Sequence, residues 1–512
     1  MQVSVAYSTA GKATDGYAPR FLPTSGTGYA KAFVGQKRGL VMLNRAEPTI
    51  LHIDLNSCFA IIEQQSNRLL RGRPVGVAAY DSPRGFVLAA SYEAKAKGIK
   101  LGVNCQQARV MCPGITILTP DPSKYREAHK RFKHIMLQYS DKVVAKSIDE
   151  FVLDLSGSPA QRAGLSPEQV GQEIKQRVAQ DLGEAVTVNV GIGTNRFLAK
   201  YAAGFDKPDG MTTINDGNLE HFYEGQDLID LPGINVRYRR RLRASGITNP
   251  LEFYRADERT LHKIVFKSVV GKYWYQRLRG WEVDDRVFTQ KTIGHQYALK
   301  QKTTDLRELE KLLIKLCEKV GRRLRRGDYY ANGIHLYLGF STNQPATSKG
   351  KKTRVSDHAA FMYSPPSTHN LHRAGEVKDP KGTAPLGFET NNHTPLGFGT
   401  DQYLRSWHQG RKLDTRLYSS RDIFLAAKQL LRSAPIPSDV RIMSVNVYGL
   451  NPWDPEQINM FEAERNLSSG KNLSDAMDAI NNRYGNYAIT PASMADMQGT
   501  ILDRIAFGNT PD

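Results

Sequence analysis

Residues 147–155 read SIDEFVLDL, and inside this otherwise apolar, β-prone run two acids, Asp149 and Glu150, stand side by side. Burying adjacent carboxylates is costly unless a cation or hydrogen bonds compensate. A third acid, Asp54, closes the apolar run TILHIDL (49–55). Three carboxylates drawn to one point repel strongly, and oxygen-only donors suit a hard ion, Mg²⁺ or Mn²⁺, that keeps waters and substrate phosphates in its shell. Two such ions ~3.5–4 Å apart clamp an in-line phosphoryl displacement. The plainer reading is three unrelated, solvent-facing acids at strand ends, and spacing alone leaves both open.

The elements must bring the acids together. TILHIDL reads as a strand, followed by helical spacing in SCFAIIEQQSNRLL (57–70). DPSKYREAHKRFKHIMLQYS (121–140) reads as a helix, then DKVVAKSI and FVLDL as two strands separated only by Asp149 and Glu150. SPEQVGQEIKQRVAQDL (166–182) is an amphipathic helix with Ser166 as N-cap and Glu168 in its first turn, and EAVTVNVGIG (184–193) is a further strand. With 71–120 set aside as an insertion, the order β-α-β-β-α-β is the split βαβ, ferredoxin-like plan. Its middle strands form a hairpin with Asp149 and Glu150 at the tip. Neighbouring residues on a regular strand face opposite ways, so only a turn lets them converge. The first strand is central in this plan, which lets Asp54 join them.

Bulk properties agree with a multidomain α+β protein. A chain of 512 residues exceeds a single core, and Lys+Arg 70 against Asp+Glu 51 leaves +19, a balance that favours a polyanionic partner. Cys58, Cys105, Cys112 and Cys317 have no zinc spacing and read as reduced thiols. No run approaches ~18 apolar residues, which argues against a membrane span and for a cytoplasmic protein. Residues 1–48 read as a polar, mobile leader.

HIDLNSCFAIIE (52–63), SYEAKAKGIKLG (91–102), SIDEFVLDL and GIGTNRFLAKYAAGFDKPDG (191–210) resemble, in order and spacing, the motifs of Y-family, translesion DNA polymerases such as bacterial polymerase IV and the polymerase V catalytic subunit. The likeness is close over residues 49–290 and fainter beyond. It implies a right-hand architecture: a ferredoxin-like palm (49–70 and 121–213), small fingers (71–120), a helical thumb (214–288) and a β-α-β little finger (289–450). Carried over, Asp54, Asp149 and Glu150 are metal carboxylates, Glu150 standing where the family's catalytic acid stands, and the Leu55 carbonyl adds a ligand to two Mg²⁺ ions, with Mn²⁺ as substitute. Phe59 aligns with the aromatic steric gate, although a core phenylalanine on an amphipathic helix has the same spacing. Tyr92, Lys95 and Lys207 match positions that bind the incoming dNTP. Two departures stand out: Lys95 where many relatives have Arg, which loses the bidentate fork, and Asn56 where many have Asp.

DLIDLPGINVRYRRRLRASGI (227–247) resembles a helix-hairpin-helix, two helices around LPGI whose amides face a DNA phosphate. Asn235, which tolerates the left-handed conformation better than most residues, replaces the usual second glycine, and Arg237, Arg239, Arg240, Arg241 and Arg243 thicken the charge beside Gly233. Farther on, long amphipathic helices (305–327, 420–433) alternate with strands such as 333–340 and 440–450, suiting a little finger whose basic sheet tracks duplex DNA. Residues 341–401, with the near-repeat TAPLGFET and HTPLGFGT, read as an irregular insertion. In the tail (451–512), QINMF (457–461) looks like a bacterial sliding-clamp motif with Gln457, Met460 and Phe461 as anchors. The partners implied are primer-template DNA, dNTPs and the clamp, with room for accessory subunits and none for a membrane. The function implied is low-fidelity, template-directed translesion synthesis. Two rivals remain: a catalytically silent DNA- and clamp-binding scaffold, against which the three retained acids argue, and a nucleotide cyclase on a similar palm, which has no use for the arginine-rich hairpin.

Overall fold

The computed structural model describes residues 43–83, 85–285, 289–341, 406–452, 464–485, 487–492 and 494. The leader up to residue 42, most of the 341–401 insertion and the 457–461 motif lie outside the described residues.

The described chain enters through β1 (Ile50–Leu55) and the helix Cys58–Ser66. It then leaves for a small sheet of β2 (Val75–Ala78), β3 (Val87–Ala90) and β4 (Thr116–Leu118), in order β3-β2-β4. It returns for β5 (Val143–Ala145), β6 (Glu150–Asp154), β7 (Val188–Gly193) and β8 (Met211–Ile214). The resulting sheet has the order β5-β6-β1-β7-β8. Its first four strands are the ferredoxin-like arrangement expected from the β-α-β-β-α-β pattern, with β1 central and antiparallel to both β6 and β7. Strand β8, parallel to β7, extends that plan beyond the expected four strands.

Two helices cover one face of this sheet. Pro122–Leu137 starts on the Asp121 cap and buries Phe132, Ile135 and Met136. Pro167–Asp181 starts on the expected Ser166, whose capping box closes with Gln169, and buries Val170, Ile174 and Val178 at four-residue spacing. Each fully buried aliphatic side chain of this kind stabilises the fold by about 1.5–3 kcal/mol. The opposite face carries the helix Arg196–Ala202, which lies so close to β7 that a Cβ on Gly191 would meet the Ala199 carbonyl oxygen at 2.0 Å. Glycine is what permits that approach.

Residues 219–277 are short helices, and here two expectations change. The first helix of the 227–247 hairpin is only a 3₁₀ turn, Leu228–Asp230, because Asp227 and Asp230 close a capping box over three residues. Asn235 does not take a left-handed conformation. It is extended (φ −98°) and caps the helix Val236–Arg243 by accepting from the Tyr238 amide, while Gly233 supplies the positive φ of +91°. The side-chain carbonyl of Asn is a better N-cap than a glycine.

The last sheet is antiparallel, in order β11-β10-β12-β9, from β9 (Thr292–Thr303), β10 (Tyr329–Phe340), β11 (Ser406–Leu417) and β12 (Val440–Pro452). The helices Leu306–Arg326 and Ser420–Ser433 pack on one face through Leu309, Leu313, Leu316, Val320 and Leu324 against Ile334, Leu336, Leu338, Met443, Val445 and Val447. Strand alternation sends His335, Tyr337, Ser444 and Asn446 to the other face. That face also carries Lys412, opposite Gly333, and Arg416, whose guanidinium lies 4.7 Å from the Tyr330 ring centroid, so basic, polar and aromatic side chains mix there. The tail helix Glu464–Tyr484 is held by Asp478, which receives Arg325 Nε at 2.6 Å and Arg322 Nε at 3.5 Å. All four cysteines are buried and free.

Candidate active site

The acids meet where β1, β6 and their flanking turns end. Register pairs Asp54 directly with Glu150 across the β1–β6 ladder. Asp149 is the last residue of the hairpin turn, and Glu150 already belongs to the strand, so the tip itself is one step earlier than expected. The Leu55 amide donates to the Asp149 carbonyl oxygen at 2.9 Å, which ties that turn to the end of β1. Within the turn the Ser147 hydroxyl donates to Asp149 Oδ1 at 2.5 Å and accepts from the Glu150 amide at 3.1 Å. The turn thus solves the alternation problem raised by two adjacent acids.

Each outer acid is paired with a lysine. Lys200 Nζ lies 2.8 and 2.6 Å from the two Glu150 carboxylate oxygens, and Lys207 Nζ bonds Asp54 Oδ2. Among the described residues, no three acid, histidine or cysteine side chains already form a closed ligand set. In this arrangement the two ammonium groups carry the neutralising charge. Burial raises Asp54, and the Lys207 charge opposes it. Burial pushes the Asp149 carboxyl up to about 6, against the Ser147 hydrogen bond and with the help of the Asp54 and Glu150 charges. Burial also acts on Glu150, but the Lys200 charge and hydrogen bond, with the Lys207 charge beyond, outweigh it and hold its carboxyl below the usual range. The mutual repulsion of the three acids is the electrostatic signature of one pocket, and an all-oxygen donor set of this charge fits a hard divalent cation.

Sequence reasoning missed two neighbours. Lys200 stands on the helix that Gly191 admits, inside a motif whose family likeness points to Lys207 alone. His52 lies two residues before Asp54, hence on the same strand face, and is 2 % exposed with Nε2 3.9 Å from Glu150 Oε2. Burial lowers its imidazole to about 3, so it is neutral despite the nearby Glu150. Strand alternation was the available signal for His52.

The dNTP candidates come to the same end of the sheet. Between Asn56 and the helix Cys58–Ser66, Ser57 takes a left-handed conformation (φ 51°), uncommon for a non-glycine residue and frequent at functional sites. Lys95 Nζ donates to Ser57 Oγ at 2.7 Å and lies 4.4 Å from the Tyr92 ring centroid. The Tyr92 hydroxyl donates to Asn56 Oδ1 at 3.1 Å, and the Asn56 amide group donates to Thr187 Oγ1. Asn56 therefore anchors the segment without adding a fourth negative charge. Burial and the Lys207 charge both lower Lys95, which places two cations near each other beside the acids. Phe59 is fully buried and stacked on Tyr125, ring centroids 4.4 Å apart and planes 14° apart, and the Tyr125 hydroxyl donates to Glu63 at 2.8 Å.

The arginines lie apart from this cluster in sequence, on Val236–Arg243. Arg239 and Arg243 both pair with Asp227 at 3.3 Å. Among the described residues Arg237, Arg240 and Arg241 form no ion pair and are exposed, Arg241 standing 5.8 Å from the Tyr238 ring centroid. Gln457, Met460 and Phe461 fall outside the described residues. No helix among the described residues is long and apolar enough to cross a membrane.

Comparison with known proteins gives this geometry a relative. The chain matches the impB/mucB/samB family over residues 53–204 and that family's C-terminal domain over residues 290–375. It is 34% identical over 339 residues to DNA polymerase IV of Moorella thermoacetica, covering 64% of this chain and 81% of that protein. It is 32% identical over 284 residues to DNA polymerase IV of Staphylococcus aureus, covering 55% of this chain and 77% of that protein. In fold it is similar to a Y-family DNA polymerase chimera, with a TM-score of 0.58 at 20% identity over 78% of this chain and 98% of that one. An α+β polymerase fold with its acids on a ferredoxin-like sheet is the class these features define. The chain belongs to the impB/mucB/samB family of Y-family DNA polymerases.

Proposed function

We propose that the protein is a low-fidelity, template-directed translesion DNA polymerase that joins a dNTP to a primer 3′-hydroxyl by two-metal nucleotidyl transfer. The observation that carries this reading is the pairing of Asp54 with Glu150 across one ladder, with Asp149 tied to Leu55 beside them. On this reading the five-stranded sheet is the palm, β2–β4 with their helices the fingers, residues 214–288 the thumb, and the β9–β12 unit the little finger.

Asp54, Asp149, Glu150 and the Leu55 carbonyl would hold the Mg²⁺ ions, which when bound lower the pKa of the primer hydroxyl and neutralise the triphosphate. The chain's own side chains do the positioning. Lys95 and Lys207 supply point charges for the triphosphate, and Tyr92 supplies a hydroxyl beside them. The Phe59 ring, backed by Tyr125, forms the floor under the sugar. Catalysis on this plan is mainly placement and charge stabilisation. Arg237, Arg240 and Arg241 grip DNA phosphates, while Asp227 orients Arg239 and Arg243. Gln457, Met460 and Phe461 dock on a bacterial sliding clamp.

Primer extension on a defined template, with Mg²⁺ and one dNTP at a time, tests the reading. Template-matched extension supports it. DNA binding without extension would instead indicate the silent scaffold.

Two further outcomes follow from the site. A carboxyl whose pKa is raised on folding stabilises the protein below its unfolded value, and that contribution is lost as pH rises through the folded value. The metal-free protein is therefore expected to lose stability as pH rises through about 6, where Asp149 ionises. Mn²⁺ binding must displace the same proton, so its apparent affinity should fall about tenfold per pH unit below that point. Calorimetric titration at several pH values checks it, and a flat affinity from acidic to neutral pH excludes it. Likewise, replacing Arg237, Arg240 and Arg241 by glutamine should reduce the slope of log affinity against log salt by roughly 0.9 for each duplex phosphate no longer neutralised. An unchanged slope would remove these arginines from the DNA interface.

A further inference from the structure

Fingers and little finger meet at a point 217 residues apart in sequence, where the Tyr80 hydroxyl lies 3.0 Å from the Tyr297 hydroxyl and 3.0 Å from the Ala298 carbonyl oxygen. A phenol has one proton to give. The arrangement that satisfies both distances has Tyr80 donating to the Ala298 carbonyl and accepting from Tyr297. Among the described residues strand β9 is an edge of its sheet, paired with β12 alone, so one side of its backbone has no ladder partner there. Tyr80 caps a carbonyl of that edge.

The loop presenting Tyr80 is built rather than loose. A Cβ on Gly85 would meet the Tyr80 carbonyl oxygen at 2.0 Å, so the turn closes only around glycine. The Gly85 amide donates to the Ser82 carbonyl at 2.8 Å, and the Gly85 carbonyl accepts from the Cys105 amide at 2.7 Å. Asp81, next to Tyr80, takes an ion pair from Arg109 at 2.6 Å. These contacts fix the hydroxyl's direction from within the fingers.

The same small sheet reaches the nucleotide site at its other end. Strands β2 and β3 are antiparallel, with Gly76 opposite Ala90 and Val77 opposite Ala89. Tyr80 follows the exit of β2, whereas Ser91 and Tyr92 follow the exit of β3, so the two lie at opposite ends of one pair of strands. That pair spans four residues, roughly 13 Å at the strand rise. Its cross-strand bonds make it a short rigid strut. At one end stand Tyr92 and Lys95, bonded to Asn56 and Ser57; at the other stands the contact to β9.

We infer that Tyr80 is a positioning residue: through Tyr297 and the Ala298 carbonyl it couples the placement of the little-finger sheet to the nucleotide pocket by way of the fingers sheet. The inference rests on the polymerase reading. Phenylalanine at Tyr80 removes only the hydroxyl and keeps the ring.

The test uses the full-length protein with Tyr80→Phe, Tyr297→Phe and the double variant. Each single variant is expected to raise KM for dNTP three- to tenfold with kcat changed less than twofold. The double variant should be no worse than Tyr80→Phe, which already removes both bonds, whereas Tyr297→Phe leaves the one to the Ala298 carbonyl. Energy transfer between labels on fingers and little finger, with primer-template DNA bound, should report a broader distance distribution in all three. Unchanged KM and distances in Tyr80→Phe, or effects that multiply in the double variant, overturn the proposal. Should the unsubstituted protein fail to extend a primer, the polymerase reading fails, and the distance measurement still decides whether the contact exists.

Discussion

Replacing Glu150 by glutamine is expected to lower single-turnover nucleotide incorporation by on the order of 10³-fold, leaving DNA binding and melting temperature near those of the unsubstituted protein. Glutamine keeps the shape and one oxygen for Lys200, so the strand start and the β1–β6 register survive. What it removes is one full negative charge from the pocket that, on the proposed reading, gathers such charge around divalent ions. Asp54, opposite, and Asp149, on the neighbouring turn, cannot move to replace it, because the ladder and the Leu55–Asp149 bond hold them in place. Electrostatic preorganisation of this kind is lost outright when one member is neutralised. Single-turnover rates with Mg²⁺ and a matched dNTP measure the effect. A Glu150→Gln protein within tenfold of the unsubstituted rate would sink the proposed role of this acid.

Sugar discrimination should move in the opposite sense at Phe59. Truncation of a fully buried phenylalanine to alanine costs about 3–5 kcal/mol in stability, which would blur any kinetic result. Phe59→Leu is the cleaner change, since it keeps an apolar side chain against Tyr125 while removing the flat ring from the proposed floor under the sugar. Incorporation of ribonucleotides relative to deoxyribonucleotides is expected to rise about 10- to 100-fold, the range that a small change in pocket volume can command. Its KM for the matched dNTP should change little. If the ratio holds steady and only the melting temperature falls, Phe59 is a core residue and nothing more. Its stacked, covered position is also that of a core side chain, and the experiment separates the two roles by what it reads.

Some of this was legible in the chain. Ser166 caps its helix as expected, the periodic runs at 305–327 and 420–433 fold as Leu306–Arg326 and Ser420–Ser433, and the β-α-β-β-α-β order yields the expected sheet with β1 at its centre. These are local matters: capping needs residues three apart, and burial of one face imposes a period that can be counted. Asp54, Asp149 and Glu150 belong to the same category once the topology is known, since strand order alone brings their strand ends together.

Other features depended on contacts the linear order does not encode. Asn235 could serve as a turn residue or as a cap, and the geometry of the incoming loop, with Gly233 already taking the positive φ, made it a cap. Lys200 became a partner of Glu150 only because Gly191 lets its helix lie against β7. The contact from Tyr80 to β9 needs two separately folded sheets to meet. Residue types and local periodicity therefore determined which chemistry the chain can carry and which helices and strands form. Which cations neutralise the acids, and what ties the β2–β4 sheet to strand β9, was decided by tertiary packing, because those choices depend on distances between segments that only folding brings together.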